Sequence, residues 1–101
     1  MRSYIRTDDV VANAAEVARL LADPTRLRIL KALFTAYDDL CVNEIAEMVG
    51  ISHSATSHQL AKLDAHGIVE CYREGQKICY TRAETPFMEQ IEKILHILSI
   101  I

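Results

Sequence analysis

The chain has 101 residues, half of them apolar and a quarter charged, with a formal net charge of −3. That size and mix fit one globular domain with a modest core and leave little room for a second. No apolar run reaches the roughly 18–20 residues that would cross a bilayer, and MRSYIRTDDVV at the N-terminus lacks the apolar core of a signal peptide, so a cytoplasmic protein is expected.

Val10, Val11, Ala14, Ala15, Ala18 and Leu21 recur at helical spacing and predict a first helix over 9–21, entered through polar residues 7–9. Asp23-Pro24 is a start signal, an N-cap followed by proline at the first helical position. Leu27, Ile29, Leu30, Leu33 and Phe34 then trace a second helix over 24–36, and Asp38-Asp39 marks a loop. Leu40-Cys41-Val42 is a short apolar stretch. Val42, Ile45, Ala46, Met48 and Val49 trace a third helix, with Gly50 suited to its left-handed C-terminal position. Ser52 can cap a fourth helix over 53–65, ended by His66-Gly67.

The connection between helices 3 and 4 is Gly50-Ile51-Ser52, the length found in a DNA-binding helix-turn-helix. Two strand-like runs, 68–73 and 77–82, flank Glu74-Gly75-Gln76, where glycine signals a hairpin. A two-residue turn pairs Glu74 with Lys77, Tyr72 with Cys79 and Cys71 with Tyr80. It gathers Val69, Cys71, Ile78 and Tyr80 on one core face and points Cys71 and Cys79 to opposite faces. A three-residue turn would set the two cysteines opposite one another; the first register has the more uniformly apolar face. Pro86 opens a last helix, with Phe87, Met88, Ile91, Ile94, Leu95, Leu98 and Ile101 on one broad face. The expected fold is mainly α with a β-hairpin wing: a winged helix-turn-helix with four helices, two strands and a closing helix.

Helix 4 carries the functional argument. Ala55, Leu60 and Leu63 are expected to pack inward. The first two turns then expose some of His53, Ser54, Thr56, Ser57, His58 and Gln59, with Lys62 one turn on. Short hydroxyls let a helix approach a phosphate strand and donate to its oxygens. Glutamine can pair with adenine, and serine or threonine can serve either base type. The helix N-terminus adds backbone N–H groups and a positive dipole end. No acid falls between Ser52 and Leu63, although the chain is acidic overall. Residues 50–82 carry four basic and three acidic side chains, so the acidity lies elsewhere. Arg73, Gln76 and Lys77 sit at the hairpin tip, placed for backbone or minor groove, where each cation adds salt-sensitive affinity. His53 and His58 are five apart and do not stack on one helical face, which disfavours a metal pair there.

These stretches, LADPTRLRILKAL (20–32), LCVNEIAEMVGISHSATSHQLAKLDAHGIV (40–69) and REGQKICYT (73–81), resemble the ArsR/SmtB family of winged-helix repressors. The resemblance covers nearly the whole chain. It implies a homodimer on an inverted-repeat operator of double-stranded DNA, and an inducer, often a metal ion, that loosens binding. By matching position, Ser54, Thr56, Ser57, His58 and Gln59 fall on the family's recognition helix, and Arg73 and Lys77 on its wing. Independently, a chain ending on ILSII exposes an apolar patch that a partner would bury. A two-fold interface of helices 1 and 5, using Val11, Ala14, Phe87, Ile91, Ile94, Leu95 and Leu98, would also set two recognition helices about one DNA turn apart.

The inducer site departs from the family's patterns. Many members carry Cys-Val-Cys at the start of helix 3; here the run is Cys41-Val42-Asn43, one thiolate short for a soft metal. On the last helix Glu92 and His96, four apart, could hold a divalent metal across the dimer, a spacing that also describes an ordinary solvated ion pair. Cys41 falls near the N-cap of helix 3, where the dipole lowers a thiol's pKa. It is a candidate redox sensor or lone soft ligand, or else an inert, partly buried residue. Three cysteines form no disulfide framework, which suits a reducing compartment. No constellation suggests catalysis. The alternatives to a released repressor are a winged-helix module that binds protein and a constitutive DNA-binding protein.

Overall fold

The computed structural model describes residues 7–101; MRSYIR, part of the stretch expected to carry no targeting signal, lies outside the described residues. The elements run α1 (Thr7–Leu21), α2 (Pro24–Thr35), β1 (Leu40–Cys41), α3 (Val42–Val49), α4 (His53–Ala65), β2 (Val69–Glu74), β3 (Lys77–Arg82) and α5 (Pro86–Ile97). The architecture is mainly helical with an antiparallel hairpin wing. Among the described residues no helix is long and apolar enough to cross a membrane.

Local chemistry sets the boundaries. The Asp23 carboxylate accepts from the backbone N–H groups of Thr25 and Arg26, at 2.9 and 3.4 Å, and Pro24 follows at the first helical position. Gly50 closes α3 in the left-handed region, φ 80°, and its N–H donates to the Ala46 carbonyl at 2.8 Å. A side chain there would be strained by the backbone alone. Ser52 Oγ then accepts from the Ala55 N–H at 3.0 Å and starts α4. Thr85 caps α5 by accepting from the Met88 N–H, while its hydroxyl donates to the Gly67 carbonyl at 2.6 Å. That second bond ties the start of α5 to the end of α4.

The sheet order is β1-β3-β2, antiparallel throughout. Glu74 pairs with Lys77, Tyr72 with Cys79 and Cys71 with Tyr80, the register of the two-residue turn. Leu40-Cys41 forms a third strand, pairing Leu40 with Tyr80 and Cys41 with Cys79. The core joins Leu20, Ile29, Leu30, Ile45, Leu60, Leu63, Ile68, Ile91 and Leu95.

Three burial expectations need correction. On the hairpin, Val69 and Tyr80 are buried and Ile78 partly so, but Cys71 is exposed, because β2 projects past the helical layer after Val69. Cys79, expected on the outer face, has no exposed surface at all, because β1 covers it. Burial also pushes the Tyr80 phenol up to about 12. α1 needs no such correction: Val17 and Leu20 make its core contacts, and Val10, Val11, Ala14, Ala15 and Ala18 face outward, as an interface using Val11 and Ala14 requires. In α5 the candidate interface residues Ile91 and Leu95 are fully buried within the chain, so they are core and not free for a partner. Phe87 and Ile94 are half-buried, while Ile97 and Leu98 are 79% and 55% exposed.

Candidate nucleic-acid interface

At the start of α4 the side chains of His53, Ser54 and His58 are exposed and that of Ser57 is half-buried. None of the four makes a side-chain hydrogen bond among the described residues, so their polar atoms point to solvent. Lys62 is exposed one turn further. At the wing tip Arg73, Gln76 and Lys77 are all exposed. Lys62, Arg73 and Lys77 form no ion pair among the described residues, so their charge is available to an outside anion. A cavity of about 170 Å³, lined by Cys41, Val42, Asn43, His53, Gln76, Lys77 and Ile78, joins the helix start to the wing. Helix and hairpin tip therefore border one notch. Asn43 belongs to it, although the sequence marked that position only as a missing thiolate.

Two residues expected on this surface are not free to work there. Thr56 is fully buried, and its hydroxyl donates to the Ser52 carbonyl at 2.8 Å. It takes the inward position expected of Ala55, which is exposed: Thr56 lies four before Leu60 on the buried line. Gln59 is half-buried with both ends of its amide engaged. Its Nε2 donates to Asp23 Oδ2 at 2.9 Å and its Oε1 accepts from Arg26 Nε at 3.0 Å.

The candidate effector residues also find internal partners. Cys41 is the N-cap of α3, and its backbone N–H donates to the Glu44 carboxylate at 2.9 Å. Its sulfur is in a disulfide with Cys79, leaving Cys71 as the free, exposed cysteine. The absence of disulfides expected from cysteine spacing is thus overturned: β1 sets Cys41 directly across from Cys79. Glu92 pairs with Arg82 at 3.5 Å, not with His96, which is exposed. Among the described residues no three His, Cys, Asp or Glu side chains converge to hold a metal ion.

Comparison with known proteins fixes the family. Residues 23–70 match the model of the bacterial regulatory protein arsR family. The HTH-type transcriptional regulator NmtR of Mycobacterium tuberculosis is 34% identical over 85 residues, which are 84% of this chain and 69% of that protein. The chain belongs to the arsR family of bacterial regulatory proteins. It is also similar to a transcriptional repressor SmtB homolog of Synechocystis sp., 36% identical over 85% of this chain and 64% of the relative. The chain thus spans just under two thirds of that curated relative. Among solved structures, reduced HlyU from Vibrio cholerae superposes with a TM-score of 0.72 at 33% identity, over 90% of this chain and 93% of that one.

Within this arsR-family fold the sequence reading missed Arg26 altogether. The residue stood only inside the stretch LADPTRLRILKAL, with no role of its own, yet Arg26 is buried. The available signal was its place in Asp23-Pro24-Thr25-Arg26, where a cation three residues past the cap meets the end of the preceding helix. Its Nη1 donates to the carbonyls of Arg19 and Leu20, at 3.3 and 3.2 Å, in the last turn of α1. The bond from Gln59, followed by those from the Arg26 and Thr25 N–H groups, holds the Asp23 carboxyl below its ordinary 3.8.

Proposed function

We propose that the chain is a non-catalytic, cytoplasmic, homodimeric, sequence-specific DNA-binding transcriptional repressor, released from its operator by a metal or thiol-reactive effector. One observation carries the DNA half: an exposed, acid-free start of α4 bearing His53, Ser54, Ser57 and His58 borders a wing tip whose Arg73 and Lys77 form no ion pair among the described residues. Ser57 and His58 face base edges, while Lys62, Arg73, Gln76 and Lys77 hold the backbone. The single globular domain supports dimerisation through α1 and α5. Val10, Val11, Ile97 and Leu98 are exposed, and covering them offsets the cost of leaving them in water. The likeness to the SmtB homolog, named a transcriptional repressor, points the same way.

For the effector, the Cys41–Cys79 pair favours thiol chemistry over a metal cage within one chain. Disulfides in the cytoplasm are commonly transient and redox-sensing. A dithiol reductant supplies the two electrons and two protons, is itself oxidised to a disulfide, and frees both thiols, that of Cys41 lining the notch that would meet DNA. Titration of the promoters of neighbouring genes at two salt concentrations, with and without dithiothreitol, tests both halves. Affinity is expected to fall steeply with salt. Cys41→Ser is expected to leave DNA affinity in the presence of dithiothreitol nearly unaltered and to abolish any difference made by the reductant. Salt-independent binding, or none, favours a protein-binding winged helix instead.

A further inference from the structure

We propose that Arg26 is a positioning residue for DNA recognition: it locks α4 to the end of α1 through Gln59. The inference rests on the repressor reading above. A long cation is seldom buried unless paired, and the Arg26 side chain is only 9% exposed. Its guanidinium meets three helices at once. Nε reaches Gln59 in α4, Nη1 reaches the Arg19 and Leu20 carbonyls of α1, and Nη2 lies 3.7 Å from Asp23 Oδ2 at the cap of α2. Gln59 closes the ring by donating to that same carboxylate oxygen.

Each partner needs what the ring supplies. The Leu20 carbonyl in the last turn of α1 has no intrahelical donor, the Arg19 carbonyl otherwise accepts a long 3.4 Å bond from the Ala22 N–H, and a cation there also meets the negative dipole end. Gln59 cannot swing out toward a base without stripping a buried guanidinium N–H and a carboxylate oxygen of their partners, which is costly. It therefore does not read adenine. It fixes the rotation of α4 about its own axis, and Ser57 and His58 immediately precede it. Hydrogen bonds to base edges weaken steeply with distance and angle, so a small rotation of α4 misaims both. A second tie from α1 meets the far end of the same helix: His66 Nε2 lies 2.8 Å from Glu16 Oε1, with His66 Nδ1 on the Lys62 carbonyl. α1 carries an outward apolar face and grips α4 at two points. The ring thus makes the aim of each recognition helix a rigid consequence of how α1 is held.

A double-mutant cycle on operator affinity separates this role from base reading and from general stability. Arg26→Lys keeps the charge and loses the fork; Gln59→Met keeps the length and loses both polar ends. Each is expected to lower operator affinity by about tenfold, with the dimer intact and the salt slope unchanged. The double variant is expected to lose no more than the worse single one. In the intact protein the Gln59 side-chain amide resonance is expected to stay in place when operator duplex is added, a readout that needs no variant to fold. Losses that multiply, a salt slope reduced by about one in either variant, or a Gln59 amide that moves onto a base would each overturn the role. Wild-type protein that binds no duplex overturns the repressor reading. Wild-type binding with unchanged affinity in both single variants overturns this role alone.

Discussion

α4 buries polar side chains, and α5 exposes apolar ones. In α4, Thr56 and Gln59 turn inward and satisfy themselves on a backbone carbonyl and on the Asp23–Arg26 pair. The outward side is left to small hydroxyls and histidines. In α5, Met88, Ile91 and Leu95 supply the core, and Ile97 and Leu98 are left in water. Neither exposed face is explained by the stability of the single chain. The first matches a hydrated, anionic surface that donates and accepts hydrogen bonds; the second matches another apolar face. Opposite departures from the usual inside-out pattern on one small scaffold mark two different partners.

The comparison breaks most readily at α5. Leu98→Glu, made with Ile97→Glu, is expected to yield monomers by sedimentation with little change in the melting of the chain, because both side chains are already exposed. Operator affinity is expected to drop by about a hundredfold or more once two half-sites are no longer bound as one unit. Dimers that persist would remove α5 from the interface. At α4, Ser57→Ala with His58→Ala is expected to weaken operator binding by about tenfold and to leave sedimentation unchanged. Equal affinity would take α4 out of the groove.

The contrast sharpens with two lysines. Lys77→Ala on the wing is expected to reduce the salt slope by about one, whereas Lys93→Ala on α5 is expected to leave it unaltered. Gel-shift titration across salt reads both, and equal slopes for the two variants would deny the wing its phosphate contacts. The smallest effect concerns acid. The Asp23 carboxyl is held below its ordinary 3.8 in the folded chain, so its stabilisation is complete above that value and is lost as pH falls through the lower, folded value. Asn also caps helices well. Asp23→Asn is therefore expected to melt less steeply with falling pH below about pH 4, read by thermal melts; an unchanged acid limb would contradict the bonding at Asp23.

Much of this was legible because the signals are local. Asp23-Pro24, Gly50 and Ser52 each fix a helix end within one turn, and the two-residue turn at Gly75-Gln76 fixes the hairpin register. What escaped depends on distance in the chain. A hydroxyl can bond to the carbonyl one turn back, so polarity did not forbid burial of Thr56 while Ala55 stayed outside. The partners of Gln59, Asp23 and Arg26, lie more than thirty positions earlier. β1 has two residues, too few to show a strand pattern, and without it the Cys41–Cys79 pairing cannot be seen. Periodicity marked α1 as a helix with an apolar stripe, but it did not mark Val17 and Leu20, which fall off that stripe, as the residues that meet the core.

The most direct measurement maps backbone amide shifts of the whole protein as promoter duplex from neighbouring genes is added. Shifts are expected to concentrate at His53–His58 of α4 and at Arg73–Lys77 of the wing. Shifts confined to α1 and α5, or none at stoichiometric duplex, would contradict that expectation.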